Sequence, residues 1–320
     1  MNITQDHFRP GDQLTDEQAR NLFAQSVSLV EIETFTFCNR TCHFCPNKDM
    51  PFRQDKAGGK FMDTDLYSRI LRDLHSISYT GSVTYSRYNE PLAERDTILA
   101  RIREARMWLP QSFLFTHTNG DYLTRDYLDA LRIAGLNRLA VQSYLGNDER
   151  WDDKRMLARQ TQQLKRLGLS VKVRTIHHPG VRYMVVTDYP DMEVTLDARN
   201  FDAIGTDRGG LVQINVQQSR QSPCFVPFTA VYIDWNGSVV PCCNLRSDVP
   251  SHAPYVVANL SDGTSIFRAW ADLHAWRRSL LTFGDKKPPC STCAYESIAY
   301  NPQLDANLNR LHEKYVKGIS

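Results

Sequence analysis

Between residues 28 and 176 the chain alternates β-rich runs with helical patterns, and no other feature of the sequence restricts its fold as much. Strands are expected over 28–37, 81–86, 112–116, 138–144 and 170–176. The segments between them carry apolar residues at helical spacing. These are Leu66, Ile70, Leu71 and Leu74 in 64–76, and Ile98, Ile102, Ala105 and Leu109 in 94–109. A third helix begins at Thr124 with Tyr127, Leu128, Leu131 and Ala134 inward, and a fourth covers 148–167. Gly135 and Gly168 stand where left-handed caps stop helices. Repeated strand–helix–strand units predict parallel βαβ connections, hence an α/β sheet or partial barrel.

The pattern ends after Ile176. Residues 177–200 hold no clear helix and are expected to form a hairpin or a lid. Asn236-Gly237 lies between two β-rich runs in 229–241, a strong hairpin signal. An amphipathic helix is expected over 265–281, with Pro288-Pro289 after it, and a last helix over 305–316. The domain reading is an N-terminal segment 1–27, a barrel 28–218, a small hairpin-plus-helix domain 219–300 and a C-terminal helix 301–320.

Lys+Arg 38 against Asp+Glu 36 leaves a charge of +2 with no block of one sign, which argues against nucleic acid as a partner. No apolar stretch approaches the roughly 18 residues of a membrane span, and residues 1–16 lack an apolar signal core. A cytoplasmic protein with no membrane partner is expected. Eight cysteines then need a reason, and they are clustered at 38, 42, 45, 224, 242, 243, 290 and 293. In a reducing compartment such clusters point to metal or redox chemistry rather than to disulfides.

Cys38, Cys42 and Cys45 follow the first expected strand, and ligand sites of parallel α/β units lie on loops at the carboxyl ends of strands. Three thiolates in so short a loop can fill three corners of a cubane iron–sulfur cluster and leave one iron open. Zinc is the alternative metal, although a structural zinc wants four ligands and His43 is badly placed to complete the set.

The triplet, with Phe44 before its last cysteine, resembles the signature of the radical S-adenosylmethionine (SAM) enzymes. That resemblance implies a partial (βα)6 TIM barrel and a SAM-binding [4Fe–4S] cluster held by Cys38, Cys42 and Cys45. It also implies that reductive cleavage of SAM yields a 5′-deoxyadenosyl radical. Tyr88-Asn89-Glu90-Pro91 resembles the segment that receives the SAM amino group, with Asn89 where the family has a glycine. By the same resemblance Phe44, Asn89, Glu90, Thr118, Asn119, Ser143 and Arg174 are candidates to contact SAM.

Cys224, Cys242, Cys290 and Cys293 form a second group, spaced C-x17-C-x47-C-x2-C, and four cysteines closing on one centre can fill a cubane cluster completely or bind one zinc. The group is similar to the shortened SPASM, or twitch, extension of radical SAM proteins, which implies one auxiliary [4Fe–4S] cluster. Cys243 remains as a free thiol. The resemblance extends to the radical SAM carbohydrate and aminocyclitol epimerases of the neomycin and avilamycin type, which implies Cys243 as hydrogen donor in an epimerisation. It extends equally to the aminocyclitol dehydrogenase of butirosin biosynthesis, which implies oxidation of an alcohol with the auxiliary cluster as electron acceptor. In that case a base is needed, and Tyr88, Arg87 and Arg208 are its candidates. Peptide modification is a third alternative, weakened by the short segment before the first strand. A sugar or aminocyclitol is the expected substrate, with flavodoxin or ferredoxin as electron donor.

Overall fold

The computed structural model describes residues 2–177, 179–214, 219–282, 286–295 and 302–317. The domain boundary expected at 218 falls outside them. Four parallel strands occupy the centre: β1 (Leu29–Ile32), β2 (Ser82–Thr84), β3 (Phe113–Thr118) and β4 (Arg138–Gln142). Helix α1 (Asp16–Ser26) precedes them, and α2 (Thr64–Ser76), α3 (Arg95–Trp108) and α4 (Arg125–Ala134) connect them. Each helix forms for a local reason. The Asp63 carboxylate accepts from Leu66 N at 2.9 Å to start α2, and Thr124 Oγ1 accepts from Tyr127 N at 3.2 Å to start α4. Gly135 ends α4 at φ +100°, a conformation costly for any residue with a Cβ.

The apolar stripes read from the sequence supply the core. Leu66, Ile70, Leu71 and Leu74 of α2 and Leu128 and Leu131 of α4 pack with Val30, Ile32, Val83, Leu114, Leu139 and Val141 of the strands. Burying one such side chain contributes about 1.5–3 kcal/mol.

Helix α5 (Asp153–Leu167) is capped by Asp152 and ended by Gly168. The strand after it departs from the expected order. β5 (Ser170–His177) does not join β4 but lies at the outer edge of the sheet. From there β6 (Arg182–Asp188) and β7 (Glu193–Arg199) return antiparallel, and β7 takes the place beside β4. The reason is legible in β5: Val171 and Val173 are 45% and 48% exposed, which a parallel strand covered on both faces does not tolerate. The segment left open as hairpin or lid is thus the β6–β7 hairpin.

The C-terminal part continues the same sheet. β8 (Ala230–Ile233) pairs parallel with β1, so six parallel strands run in the order β8-β1-β2-β3-β4-β7. β9 (Ser238–Val240) and β10 (Ala258–Asn259) extend it antiparallel. The expected Asn236-Gly237 turn joins β8 to β9 with Gly237 at φ +82°. The helix expected over 265–281 is two pieces, Ile266–Ala271 and His274–Leu280. The first seats Phe267 and Trp270 edge-on against Phe23 of α1 at 5.2 and 5.7 Å, tying the C-terminal part to the N-terminal helix. Among the described residues no helix is long and apolar enough to cross a membrane.

Candidate active site

The carboxyl ends of β1 to β4 and the turn after β9 surround a cavity of about 320 Å³. Cys38, Cys42 and Cys45 all line it, on the loop that leaves β1. That loop is fastened through its backbone: Cys38 N donates to Arg53 O at 2.8 Å, His43 N to Asn147 O at 3.0 Å and Cys45 N to Cys42 O at 2.9 Å. Burial pushes the Cys42 thiol up to about 12 and the Cys38 thiol higher, with neighbouring Glu90 adding to the latter. Among the described residues no three Cys, His, Asp or Glu side chains converge closely enough for a single metal ion.

Glu90 organises the wall beside the triplet. Its carboxylate accepts from Thr118 Oγ1 at 2.5 Å, Asn119 N at 2.7 Å and Leu92 N at 3.0 Å. Burial raises its pKa to about 7 against the pull of those donors. Glu90, Thr118 and Asn119, three of the residues singled out from the sequence, are therefore one hydrogen-bonded unit. Asn89 also lines the cavity, and its Nδ2 is buried without a partner. Phe44 stacks on Phe201 with ring centroids 4.2 Å apart, closing one side with an apolar surface.

Two sequence expectations need correction. Ser143 lies on the far side of its segment: its hydroxyl donates to Gln163 Oε1 at 2.6 Å, away from the cavity. Side chains alternate along an extended chain, so its neighbours Gln142 and Tyr144 face the cavity instead. Gln142 Nε2 is a second buried donor without a partner. Arg174 is on the edge strand β5, exposed, and among the described residues donates to Gln160 Oε1 at 3.5 Å. It lies outside the cavity because β5 left the parallel order.

Cys243 lines the cavity with the triplet. Its carbonyl accepts from the Tyr88 hydroxyl at 2.9 Å, and burial pushes its thiol up to about 11. Cys242, immediately before it, belongs to the other group. Cys224 and Cys290 raise the pKa of the Cys242 thiol, and Cys224 and Cys293 raise that of Cys290, so these four side chains lie near one another. Asn244 Nδ2 approaches Cys293 Sγ at 4.0 Å.

The three base candidates are differently placed. Arg87 is saturated: Nε donates to Asp234 Oδ1 and Nη2 to Leu245 O, both at 2.6 Å. Its carboxylate neighbours hold its pKa above the ordinary arginine value, so it cannot accept a proton. The Tyr88 hydroxyl is committed to Cys243 O. Arg208 lines the cavity and donates to Asn244 Oδ1 at 3.2 Å; among the described residues no carboxylate pairs with it. Its backbone has φ +53°, which is rare for a residue with a side chain. Glu31 and His117 also line the cavity, and composition and spacing gave no sign of either. Their position on strands ending at the cysteine loop was the available signal.

The donor set fits a cubane cluster and an amino-acid-bearing nucleotide. Three thiols share one loop, and two buried amide donors in the same cavity, Asn89 Nδ2 and Gln142 Nε2, have no acceptor among the described residues. Comparison with known proteins agrees. The radical SAM superfamily model matches residues 32–183, and an iron–sulfur cluster-binding domain model, SPASM, matches residues 224–294. The S-adenosyl-L-methionine-dependent 2-deoxy-scyllo-inosamine dehydrogenase of Niallia circulans is 26% identical over 216 residues, covering 67% of this chain and 73% of that protein. A crystal structure of BtrN in complex with AdoMet and 2-DOIA has a TM-score of 0.59 at 22% identity, covering 87% of this chain and 97% of that one. BtrN in an open conformation gives 0.55 at 20% identity over the same shares. Residues 32–183 belong to the radical SAM superfamily and residues 224–294 are a SPASM domain, so the chain is a radical SAM enzyme that uses [4Fe–4S] clusters and SAM.

Proposed function

We propose that this chain oxidises a secondary alcohol on an aminocyclitol ring to a ketone. One observation carries the reading: the three-cysteine loop and the turn bearing Cys243 open onto the same cavity, whose size suits a single ring better than a peptide. The similarity to a 2-deoxy-scyllo-inosamine dehydrogenase supports both the substrate class and the oxidative outcome.

When bound, the cofactors supply hydrogen-atom abstraction at the first site and an electron acceptor at the second. Cys38, Cys42 and Cys45 would hold the first cluster; Cys224, Cys242, Cys290 and Cys293 would hold the other. The chain's own residues position the substrate and keep water out. Phe44, Phe201 and Tyr144 form the apolar wall. Asn89 and Gln142 offer amide donors to SAM or to ring hydroxyls. Arg208 offers guanidinium donors to the oxygen that becomes the carbonyl. A flavodoxin or ferredoxin would deliver the first electron.

Epimerisation is the second reading, favoured by Cys243 lining the same cavity. There its thiol returns a hydrogen atom to the opposite face of the ring carbon, and a reductant restores the thiol. The test is turnover of 2-deoxy-scyllo-inosamine in D2O by the reconstituted enzyme with dithionite. A ketone without solvent deuterium at that carbon is the expected product. A ring epimer carrying deuterium would put the second reading in its place, and SAM cleavage with neither product would overturn both.

A further inference from the structure

We propose that Glu31 is the catalytic base of this oxidation, the group that takes the hydroxyl proton of the substrate; the proposal rests on the alcohol-oxidising reading above. Glu31 lies on β1, the strand that runs into the cysteine loop, and its side chain faces the cavity. Among the described residues its carboxylate has one polar contact, a long one, Arg87 Nη1 at 3.4 Å from Oε1.

Every other acidic group in the neighbourhood is spent. Glu33 holds both Nη atoms of Arg53, at 2.7 and 3.0 Å, and receives Tyr88 N at 3.2 Å. Asp234 receives Arg87 Nε and Ser247 N, both at 2.6 Å. Glu90 receives its three donors. Glu31 thus presents the one carboxylate oxygen among the described cavity residues to which nothing donates.

The electrostatics favour the role. Burial pushes the Glu31 pKa up to about 7 against the pull of Arg87, and Glu33 and Asp234 add to the rise. A base is most effective when its pKa lies near the working pH. The groups facing Glu31 are Arg87 from the loop after β2, Tyr232 on β8, Asp234 beyond it and Cys243 after β9, with Glu33 just past the end of its own strand.

The step balances as follows. The hydrogen atom of the carbinol carbon would pass to the 5′-deoxyadenosyl group that cleaved SAM supplies, forming 5′-deoxyadenosine, and the O–H bond then breaks with its proton passing to Glu31. The carbon–oxygen bond becomes a carbonyl, and the remaining single electron would go to the iron–sulfur acceptor that Cys224, Cys242, Cys290 and Cys293 would hold. The carbon is oxidised by two electrons in all, and Glu31 releases its proton to solvent before the next turnover.

The experiment compares wild type, E31Q and E31D, each reconstituted with iron and sulfide and assayed with 2-deoxy-scyllo-inosamine, SAM and dithionite. Arg87 keeps Asp234 and Leu245 O in either variant, and near-UV circular dichroism checks folding. In wild type kcat should rise with pH through about 7. E31Q should lose kcat by about 100-fold and lose that limb, while its substrate Kd by calorimetry stays within about threefold. E31D should be slower than wild type yet keep the limb. If E31Q retains kcat or the limb while wild type makes ketone, Glu31 is not the base. If wild type itself makes an epimer in place of ketone, the oxidation reading fails and the base goes with it.

Discussion

The guanidinium of Arg53 and the carboxylate of Asp248, 195 residues apart in the chain, meet at 2.6 Å in the protein interior. Arg53 closes the loop of the first cysteine group, its carbonyl receiving Cys38 N. Asp248 follows the Cys242-Cys243 turn and also holds Arg246 at 2.8 and 3.0 Å. Arg246 in turn reaches Asn47 Oδ1 at 3.0 Å, two residues beyond Cys45, and lies over the Tyr88 ring at 4.5 Å. Glu33 completes the network from the end of β1. One buried set of charges therefore fixes the two cysteine-bearing segments against each other.

Asp248→Asn should destabilise the folded chain by about 3 kcal/mol, because it strands Arg53 and Arg246 against a weaker partner in a dry site. Urea unfolding of the two proteins measures the difference. The sign with pH is also set. Arg246 and Arg53 hold the Asp248 pKa down to about 2, below its unfolded value of roughly 3.9. Its contribution is present above the unfolded value and lost as pH falls through about 2. Wild type should lose more stability than Asp248→Asn between pH 5 and pH 2, both about limits set by those two pKa values; parallel curves would show that Asp248 gains nothing from its arginines.

Iron content separates the two cysteine groups. Wild type should bind about eight irons, and Cys42→Ala or Cys290→Ala should each bind about four. Cys42→Ala should also fail to cleave SAM. Cys290→Ala should still cleave it, because the open-vertex site lies on the other loop, but should form no ketone. Colorimetric iron and quantified 5′-deoxyadenosine decide this together. An unchanged iron count in Cys290→Ala would remove that residue from the second set.

Much of this was legible in the sequence because it depends on local physics. The α2 and α4 stripes, the Gly135 cap and the Asn236-Gly237 turn are each decided within a few residues, and each is found where spacing placed it. The cysteine groups were legible because thiols of that spacing have few other uses. What was hidden depends on which strand pairs with which. The β-rich run at 170–176 fits a parallel strand or an edge strand equally well, and its going to the edge removed Arg174 from the cavity. Ser143 failed by one residue, since a strand's inward face is decided by its register and not by its composition. The Arg53–Asp248 pair was hidden because its members lie 195 residues apart, and Glu31 because its partner Arg87 comes from another strand's loop, after β2.

Gln142→Leu should separate ligand binding from stability. Among the described residues nothing accepts from the buried Gln142 Nε2, and a buried donor left unpaired costs about 1–3 kcal/mol. Removing it should leave the melting temperature equal to or above that of wild type. Binding of SAM or of the aminocyclitol should weaken by about tenfold, the worth of one lost hydrogen bond to a buried acceptor. Calorimetric titration with each compound identifies which of them Gln142 serves. A lower melting temperature with unchanged binding of both would show that the amide is satisfied within the protein.

Arg208 should show the same opposition more strongly. It is a half-buried cation with no carboxylate partner among the described residues, on a backbone at φ +53° followed by Gly209 and Gly210 at +67° and +89°. A strained backbone and an uncompensated charge both cost stability, and such costs collect at sites that bind something else. Arg208→Gly removes both at once, because glycine accepts positive φ and carries no charge. That variant should melt higher than wild type. Its kcat for alcohol oxidation should fall by about 100-fold, the scale seen when one donor to a developing oxyanion is lost. Arg208→Lys should recover part of kcat, since the charge returns without the planar fork. If Arg208→Gly melts lower and keeps its rate, the guanidinium holds the turn at 205–210 together and does not serve the substrate oxygen.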